Sequence, residues 1–367
     1  MLIIAQPWFA AIGHPAQSLL NTAKVIGFSK DIKYLVSIEA NNNLFSDALN
    51  DLKKYGEVIG FKVKTQSLYE GTFKAVLRLR CLCFKDISID RILFFDADLI
   101  LLSGIWGLFF SQKKSPKLGV IYLHGPERIQ RHRFIAFMVK RFLLKPNITL
   151  FLRTNELLEV WKMYYPNASL KRLPTMEILA DEVNITIHEQ KSFKLRFGIL
   201  GQIRQGKGLE WIVPFFEKNK ELGELTVAGE FATDEQKITL HFLINFKGFV
   251  NKYLTEQELL AQAVKQDYLL MLYDNWDARL EGAVMYLAAR VNRPVIVYKG
   301  GWCGRMVATY KNGIIISKSD NNFLETIASL PKPHTYEYET LLKGVQAFKS
   351  DHSGKVIRDA FLDAIKF

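Results

Sequence analysis

The sequence predicts two α/β domains, each a parallel β-sheet of Rossmann type covered by helices on both faces. Three observations support this fold class. At 367 residues the chain exceeds what a single hydrophobic core usually serves. Short, nearly continuous apolar runs alternate with amphipathic segments along its length, which is typical of buried parallel strands and crossover helices. The alternation restarts after a polar stretch, DEVNITIHEQK at residues 181–191.

We therefore expect an N-terminal domain at residues 1–188, a second domain at 189–340, and C-terminal helices at 341–367 that cross back to the first domain. The strands predicted in the first half are residues 1–5, KYLVSI (33–38), EVIGFKV (57–63), RILFFD (91–96) and KLGVIYLH (117–124), with a helix that ends at Gly27. Those predicted in the second half are FKLRFGILG (193–201), ELTVAGE (224–230), INFKGFV (244–250), YLLMLY (268–273), RPVIVY (293–298) and GIIIS (313–317).

Composition excludes several classes of protein. A hydrophobic fraction of 49% with 23% charged residues indicates a globular chain with a large core, not a disordered one. We expect no secretory segment, because no basic region or cleavage site accompanies the first apolar run, and no apolar run is long enough for a transmembrane helix. The three cysteines form neither an even disulfide set nor a metal-binding spacing, which favours a reducing, cytoplasmic setting and no metal site.

The positive charge is concentrated in the first half. Residues 1–196 hold 28 Lys and Arg against 17 Asp and Glu, a net charge of +11, whereas the whole chain has a net charge of +12. From Arg128 the sequence reads RIQRHRFIAFMVKRFLLKPN, in which basic and apolar residues mix at helical spacing. This pattern predicts a helix at an anionic membrane surface, with contacts from Arg131, Arg133, Phe137, Lys140 and Arg141. A helix that faces the core and solvates its cationic side explains the same pattern. Without a recognition module or spaced stacking aromatics, we expect no nucleic acid partner.

A glycine-bearing loop in the second half is the main candidate for a ligand site. FGILGQIRQGKG, residues 197–208, runs from an apolar strand through Gly201, Arg204 and Lys207 into a predicted helix. Glycines allow close approach of the backbone to a ligand, and the first free N–H groups of a helix favour an anion. The loop therefore predicts a phosphate site. An ordinary turn that carries surface charges is the alternative.

The ordered set of segments resembles the donor domain of GT-B glycosyltransferases, especially glycosyltransferase family 4. The set is FGILGQIRQGKG, LTVAGE, FKGFV, YLLMLYDNWDARLEG, NRPVIVYKGGWCGRMV and NGIII, and the resemblance covers about residues 193–330. It implies two Rossmann-like domains that face each other across a cleft. It also implies that Gly201, Arg204 and Lys207 hold the diphosphate of a nucleotide sugar.

The loop after YLLMLY departs from the family pattern. The two family glutamates, spaced by eight positions, align with Arg279 and Leu287, so the glutamate that holds the ribose is missing. Glu281 fits the role beside the sugar only after a shift of two residues. Some related transferases carry an arginine and a glycine here, like Arg279 and Gly282, which implies that these two residues contact the diphosphate.

The first half resembles the acceptor domain of such enzymes. His124 corresponds in place to a histidine that many relatives direct at the donor sugar, and Gly13 and His14 lie in the loop expected to face the cleft. A structural role explains either histidine equally. The resemblance implies transfer of a hexosyl group, with retention of configuration, from a UDP- or GDP-sugar to a saccharide or lipid-linked acceptor. Such an enzyme needs no essential metal and no other cofactor. The expected setting is polysaccharide or glycolipid assembly on the cytoplasmic face of the membrane.

Two other interpretations remain at this point. Asp96 and Asp98 in RILFFDADLIL resemble the Asp-x-Asp motif with which GT-A glycosyltransferases bind a divalent metal. In that case the second half has no role, whereas a strand-terminal cap in a solvated turn also explains both aspartates. The weakened glutamate pattern is compatible with a third interpretation, in which the chain is a non-catalytic module that binds nucleotide sugars at a membrane surface.

Overall fold

The computed structural model describes residues 1–9, 15–39, 46–64, 67–86, 88–110, 115–173, 175, 194–274, 279–317 and 323–366. The chain divides into two compact units. Unit 1 comprises Met1–Glu177 with Gly354–Phe367, and unit 2 comprises Ile178–Ser353. The predicted domain boundary falls in residues 176–193, which lie outside the described residues.

Unit 1 is built on a seven-stranded sheet in which every described strand pair is parallel. Its strands are β1 (Leu2–Gln6), β2 (Ile32–Glu39), β3 (Glu57–Val63), β4 (Arg91–Phe95), β5 (Lys117–Tyr122), β6 (Ile148–Leu152) and β7 (Leu170–Arg172). Its helices are α1 (Pro15–Ile26), α2 (Ser46–Leu52), α3 (Leu68–Lys85), α4 (Leu99–Phe109), α5 (Glu127–Gln130), α6 (Arg133–Leu143), α7 (Asn155–Tyr164) and, from the C-terminus, α15 (Gly354–Ala364).

Unit 2 contains a six-stranded parallel sheet. Its strands are β8 (Leu195–Leu200), β9 (Gly223–Gly229), β10 (Phe249–Asn251), β11 (Tyr268–Met271), β12 (Val295–Tyr298) and β13 (Gly313–Ile316). Its helices are α8 (Leu209–Lys218), α9 (Asp234–Thr239), α10 (Glu256–Val264), α11 (Ala283–Arg290), α12 (Gly301–Tyr310), α13 (Phe323–Ala328) and α14 (Tyr336–Asp351), with a short 3₁₀ helix at His241–Asn245.

Both sheets have the strand order of a doubly wound Rossmann fold. The order is β3-β2-β1-β4-β5-β6-β7 in unit 1 and β10-β9-β8-β11-β12-β13 in unit 2. In each, the order reverses beside the first strand, between β1 and β4 and between β8 and β11. Crevices at such switch points, beyond the carboxyl ends of the strands, are where open α/β sheets bind ligands. The fold class predicted from the sequence is confirmed, and the topology selects the loops after β1, β4, β8 and β11.

Apolar strands buried on both faces account for the cores. In unit 1, β1 is fully buried, and α1 and α15 pack together on one side of the sheet. The C-terminal helix α15 buries Ile357 and Phe361 in that core. The carbonyl of Ile365, the residue after α15, accepts a hydrogen bond from Arg91 Nη1 at 3.0 Å. In unit 2, β8, β11 and β12 pack between two clusters of helices. Among the described residues, no helix combines the length and apolar character needed to cross a bilayer.

The basic stretch after Arg128 differs from its prediction as a single helix. Helix α5 ends at Gln130 and α6 begins at Arg133, because His132 takes an extended conformation with φ of −123°. Arg131 therefore lies in the link between the helices. Arg133, Phe137, Lys140 and Arg141 lie exposed on α6, and the opposite face of α6 buries Val139, Phe142 and Leu143.

Candidate functional site

The loop between β8 and α8 is shaped by three glycines with positive φ. The values are 87° at Gly201, 80° at Gly206 and 74° at Gly208, which precedes the first residue of α8. Side chains other than that of glycine are strained in this left-handed region. Gly208 also has no room for a side chain, since a Cβ atom there would lie 2.8 Å from the Leu272 carbonyl oxygen. Local strain and close packing thus explain the glycine spacing.

Replacement of Gly208 with alanine is expected to lower the free energy of unfolding of unit 2 by about 2 kcal/mol or more, from the left-handed backbone and the contact with Leu272. Gly27→Ala, at the end of α1 in unit 1, is the control. Gly27 has a similar positive φ of 79° but no atom within 4 Å of its Cβ position, so alanine there incurs only the backbone cost. Denaturant unfolding of both variants separates the two contributions. Equal losses would show that close packing at Gly208 contributes nothing.

Hydrogen bonds connect this loop to the neighbouring strand ends. The Asp274 amide, after β11, donates to the Gly206 carbonyl at 2.8 Å, and the Gly201 amide donates to the Ala228 carbonyl at 2.9 Å. The Ile203 amide donates to the Glu230 carbonyl at 2.8 Å, beyond the end of β9. Three strand ends are therefore joined at the switch point of unit 2. A pocket of about 270 Å³ lies there, lined by Gln205, Gly206, Glu210, Trp211 and Asp274.

Lys207 is a buried cation at this switch point. Its side chain is only 6% exposed, and its ammonium group donates to the Leu200 carbonyl at 3.1 Å. Burial, with a smaller contribution from the charge of Arg204, lowers the pKa of Lys207 to about 7. Burial also lowers the pKa of the half-buried Arg204, an effect opposed by Tyr273. A buried ammonium group whose charged form is disfavoured by burial and by a neighbouring guanidinium is a site that an anion would stabilise.

The segment that precedes α11 lies beside Tyr273. Gly282 is closely packed, because a Cβ atom there would lie 3.0 Å from Cys303 Sγ and 3.7 Å from a Tyr273 ring atom. Glu281 accepts a hydrogen bond from the Tyr286 hydroxyl at 3.2 Å and raises the pKa of Cys303, although burial is the main cause of that shift. Since Tyr273 also interacts with Arg204, both Gly282 and Arg204 lie close to this one tyrosine.

The two positions aligned with the family glutamates differ in environment. Leu287 is buried within α11, in the core of unit 2, and so is not placed to contact a ligand. Arg279 is partly buried and makes its own contacts just before α11, while residues 275–278 lie outside the described residues. The structure therefore does not supply the missing ribose ligand at Leu287.

In unit 1 His124 lies two residues beyond β5, with its side chain exposed. Its carbonyl accepts a hydrogen bond from the Trp161 indole at 2.9 Å, and its ring stands edge-on to Tyr122 with centroids 5.8 Å apart. The backbone is thus held while the imidazole remains accessible. Gly13 and His14, predicted for the loop after β1, lie outside the described residues.

The two aspartates after β4 have different roles. Asp98 is the N-cap of α4, where its Oδ1 accepts from the Leu101 amide at 2.9 Å. Asp96 has φ of 53°, and its buried Oδ1 has no hydrogen-bond partner. The interpretation of both as a solvated cap is correct for Asp98 and wrong for Asp96, because Asp96 turns inward. The GT-A alternative does not agree with two Rossmann-type sheets.

Asp96 belongs to a polar cluster that the sequence interpretation missed. Burial raises the pKa of Asp96, opposed by Arg153, by a hydrogen bond with Gln6 and by His124. Gln6 ends β1 and is completely buried, while Arg153 follows β6 and is 6% exposed. The available signal is that Gln6, Asp96 and Arg153 are each the first polar residue after an apolar strand run. These strand ends meet at the switch point of unit 1.

The fold is shared with several solved glycosyltransferases. Neither a protein-family model nor a curated protein sequence matches the chain. HepE from Anabaena in complex with UDP-glucose is similar over 100% of this chain and 99% of its own, with a TM-score of 0.72 and 12% identity. Sucrose-phosphate synthase from Thermosynechococcus elongatus is similar over 100% of this chain and 98% of its own, with a TM-score of 0.70 and 13% identity. The UDP-forming trehalose-phosphate synthase from Burkholderia xenovorans, in complex with glucose-6-phosphate, is similar over 100% of both chains, with a TM-score of 0.66 and 11% identity. With its two Rossmann-type sheets, the chain has the GT-B fold of glycosyltransferases.

Proposed function

We propose that the protein is a glycosyltransferase that moves a sugar from a nucleotide-diphosphate sugar to a saccharide or lipid-linked acceptor. The observation that supports this best is the buried Lys207 beside the half-buried Arg204, in a glycine loop at the switch point of unit 2. A diphosphate is an anion of suitable charge for this pair, and the loop leads directly into the N-terminus of α8, a helix end that favours an anion. The complexes of HepE with UDP and with UDP-glucose favour UDP over GDP as the carrier.

In the proposed reaction the bond between the anomeric carbon and the diphosphate oxygen breaks. A bond forms from an acceptor hydroxyl oxygen to that carbon, and the hydroxyl proton passes to the departing diphosphate oxygen. Negative charge develops on the leaving diphosphate, so Lys207 and Arg204 stabilise the transition state more than the ground state. Arg279 and the amides near Gly282 are proposed to contact the same diphosphate. We propose retention of configuration, which the resemblance to glycosyltransferase family 4 implies. We also propose that no metal is essential, because cations of the chain neutralise the leaving group.

Glu281 and His124 are the proposed residues beside the transferred sugar. Glu281 is oriented by the Tyr286 hydroxyl, and His124 keeps an accessible imidazole on a held backbone. The expected oxocarbenium-like transition state favours a nearby carboxylate and precise hydrogen bonds to sugar hydroxyls. If they act on the sugar, Glu281→Gln and His124→Ala lower kcat while the affinity for the free nucleoside diphosphate is unchanged.

Release of nucleoside diphosphate tests the proposed function. Purified protein is incubated with UDP-sugars and GDP-sugars and a panel of saccharide and lipid-linked acceptors, and the donors that bind are first selected by thermal shift. Acceptor-dependent release of nucleoside diphosphate is the expected result. Tight donor binding without release under any acceptor would instead support the non-catalytic module. If no nucleotide sugar or nucleoside diphosphate bound at all, the assignment of the β8–α8 loop would be wrong.

We propose assembly of cell-surface polysaccharide or glycolipid as the setting, at the inner face of the cytoplasmic membrane. The support is the excess of basic residues in the first half of the chain and the exposed basic and aromatic side chains of α6. The glucose-6-phosphate bound to the trehalose-phosphate synthase is a sugar phosphate, which leaves soluble acceptors as the alternative class.

A further inference from the structure

We infer that α3, α4 and α6 of unit 1 together form one surface that docks on an anionic membrane, which we call the three-helix face. The proposed function locates the acceptor at a membrane, and the inference rests on it only in that respect. The sequence pattern pointed to α6 alone. The structure adds α3 and α4, because α4 packs against both α3 and α6.

Helix α3 carries an exposed apolar stripe. Tyr69, Phe73 and Leu77 follow one another at intervals of four residues, and Phe84 continues the stripe two turns later. The opposite side of the helix buries Ala75, Val76 and Leu79 in unit 1. The stripe therefore lies on the solvent side, and Phe84 is 74% exposed there.

Helix α4 connects this stripe to α6 without any charged side chain. Its sequence is LILLSGIWGLF, in which Leu108 is 77% exposed. The rings of Phe109 on α4 and Phe73 on α3 meet with centroids 6.4 Å apart, and the Arg80 guanidinium lies 5.5 Å from the Phe109 ring. An uncharged helix with an exposed leucine is unusual on a surface that contacts only water.

Helix α6 completes the face with a second apolar stripe. Phe134 is 71% exposed, Phe137 follows it on the same side of the helix, and Leu144, also exposed, comes directly after the last residue of α6. The Arg141 guanidinium lies 5.7 Å from the Phe137 ring. Aromatic rings flanked by arginine suit the boundary between headgroups and acyl chains, where the ring is buried and the cation meets phosphate.

The charge of the three-helix face favours an anionic bilayer as its partner. The three helices contain seven Lys and Arg but one acidic residue, Glu70, and that carboxylate lies 2.6 Å from the Lys74 ammonium group. Basic clusters beside apolar side chains bind anionic lipid surfaces. A second copy of the same face would place this positive charge opposite itself, so self-association through the face is disfavoured.

Sedimentation of the full-length protein with lipid vesicles tests the inference. The vesicles are phosphatidylcholine alone or mixed with phosphatidylglycerol. We expect binding to the mixed vesicles, weakened by salt, and little binding to phosphatidylcholine alone. Phe84→Ser/Leu108→Ser, on α3 and α4, is expected to weaken binding about tenfold or more, and Phe134→Ser/Phe137→Ser, on α6, by a similar factor.

The matched control is Ile238→Ser/Tyr336→Ser, which removes two apolar side chains of unit 2 that are 74% and 79% exposed. It should bind like the unchanged protein. Three outcomes would overturn the inference: equal binding to both vesicle types, no loss in the α3/α4 variant, or a change of oligomeric state in the face variants that accounts for the lost sedimentation. Donor affinity without vesicles is measured on the same variants and should be unchanged. Absence of donor binding together with normal vesicle binding would contradict the proposed function and leave the three-helix face intact.

Discussion

Combined replacement of Arg204 and Lys207 with alanine is expected to lower kcat/KM for the nucleotide sugar by about a thousandfold or more. Each cation is proposed to stabilise charge that develops on the leaving diphosphate, and removal of one such group typically costs a factor of about a hundred to a thousand. Steady-state kinetics measures the loss, and calorimetry with the free nucleoside diphosphate measures the part that arises from ground-state binding.

Measurement of thermal stability distinguishes the loss of these binding groups from misfolding of the variant. Lys207 is buried with a lowered pKa, so the folded protein bears a desolvation cost that alanine or methionine does not. We therefore expect the melting temperature of Lys207→Met to equal or exceed that of the unchanged protein while donor binding is lost. Lys218→Ala, an exposed lysine at the end of α8, is the matched control and should keep its activity. Unchanged donor affinity in the double variant would refute the diphosphate assignment.

Donor affinity is expected to fall as pH rises through neutrality. In the free protein the pKa of Lys207 is about 7, so the ammonium group becomes neutral above that pH. A bound diphosphate favours the charged form and raises the pKa, so binding takes up a proton. The dissociation constant should then increase by up to about tenfold per pH unit above pH 7, until the pH reaches the pKa of the complex.

Calorimetry in buffers of different ionisation enthalpy measures this proton uptake directly. Lys207→Arg is the control, because a guanidinium stays charged over the whole range and removes this group's contribution to the pH dependence. The effect of Lys207 on folding stability has the opposite dependence on pH. Between pH 7 and the ordinary lysine value of 10.5 the unfolded chain binds more protons at this position, so Lys207 makes the free energy of unfolding increase with pH. A pH-independent dissociation constant between pH 7 and 9 would contradict the buried-cation site.

Five of the six strands of unit 2 and five of the seven in unit 1 are evident in the sequence, because buried parallel strands are apolar along their whole length. The predicted strand at residues 244–250 overlaps β10 only at its end, since residues 244 and 245 belong to the 3₁₀ helix and β10 is a partly exposed edge strand of three residues. β6 and β7 were missed for different reasons. β6, ITLFL, closely follows the apolar stretch of α6, and an apolar run of this length does not by itself distinguish strand from helix. β7, LKR, is a three-residue edge strand that is mostly exposed and has no apolar pattern.

Some residues of the candidate sites can be identified from the sequence and others cannot. The glycine spacing and the cations Arg204 and Lys207 are local features, so the sequence alone identifies them. The cluster of Gln6, Asp96 and Arg153 is not local, because these residues lie up to 147 positions apart and meet only through the order of β1, β4 and β6. The prediction from sequence therefore assigned Asp96 to a cap and did not include Gln6 or Arg153.

The sequence by itself determined the alternation of strands and helices, the glycine loop and the excess of basic residues in the first half, since each depends on neighbours along the chain. Tertiary structure alone decided that Lys207 is buried beside Arg204, that Asp96 faces inward, and that α3, α4 and α6 share one surface. Burial and pKa depend on atoms that surround a group in space. Those atoms belong to segments that the parallel strand order brings together from distant parts of the chain.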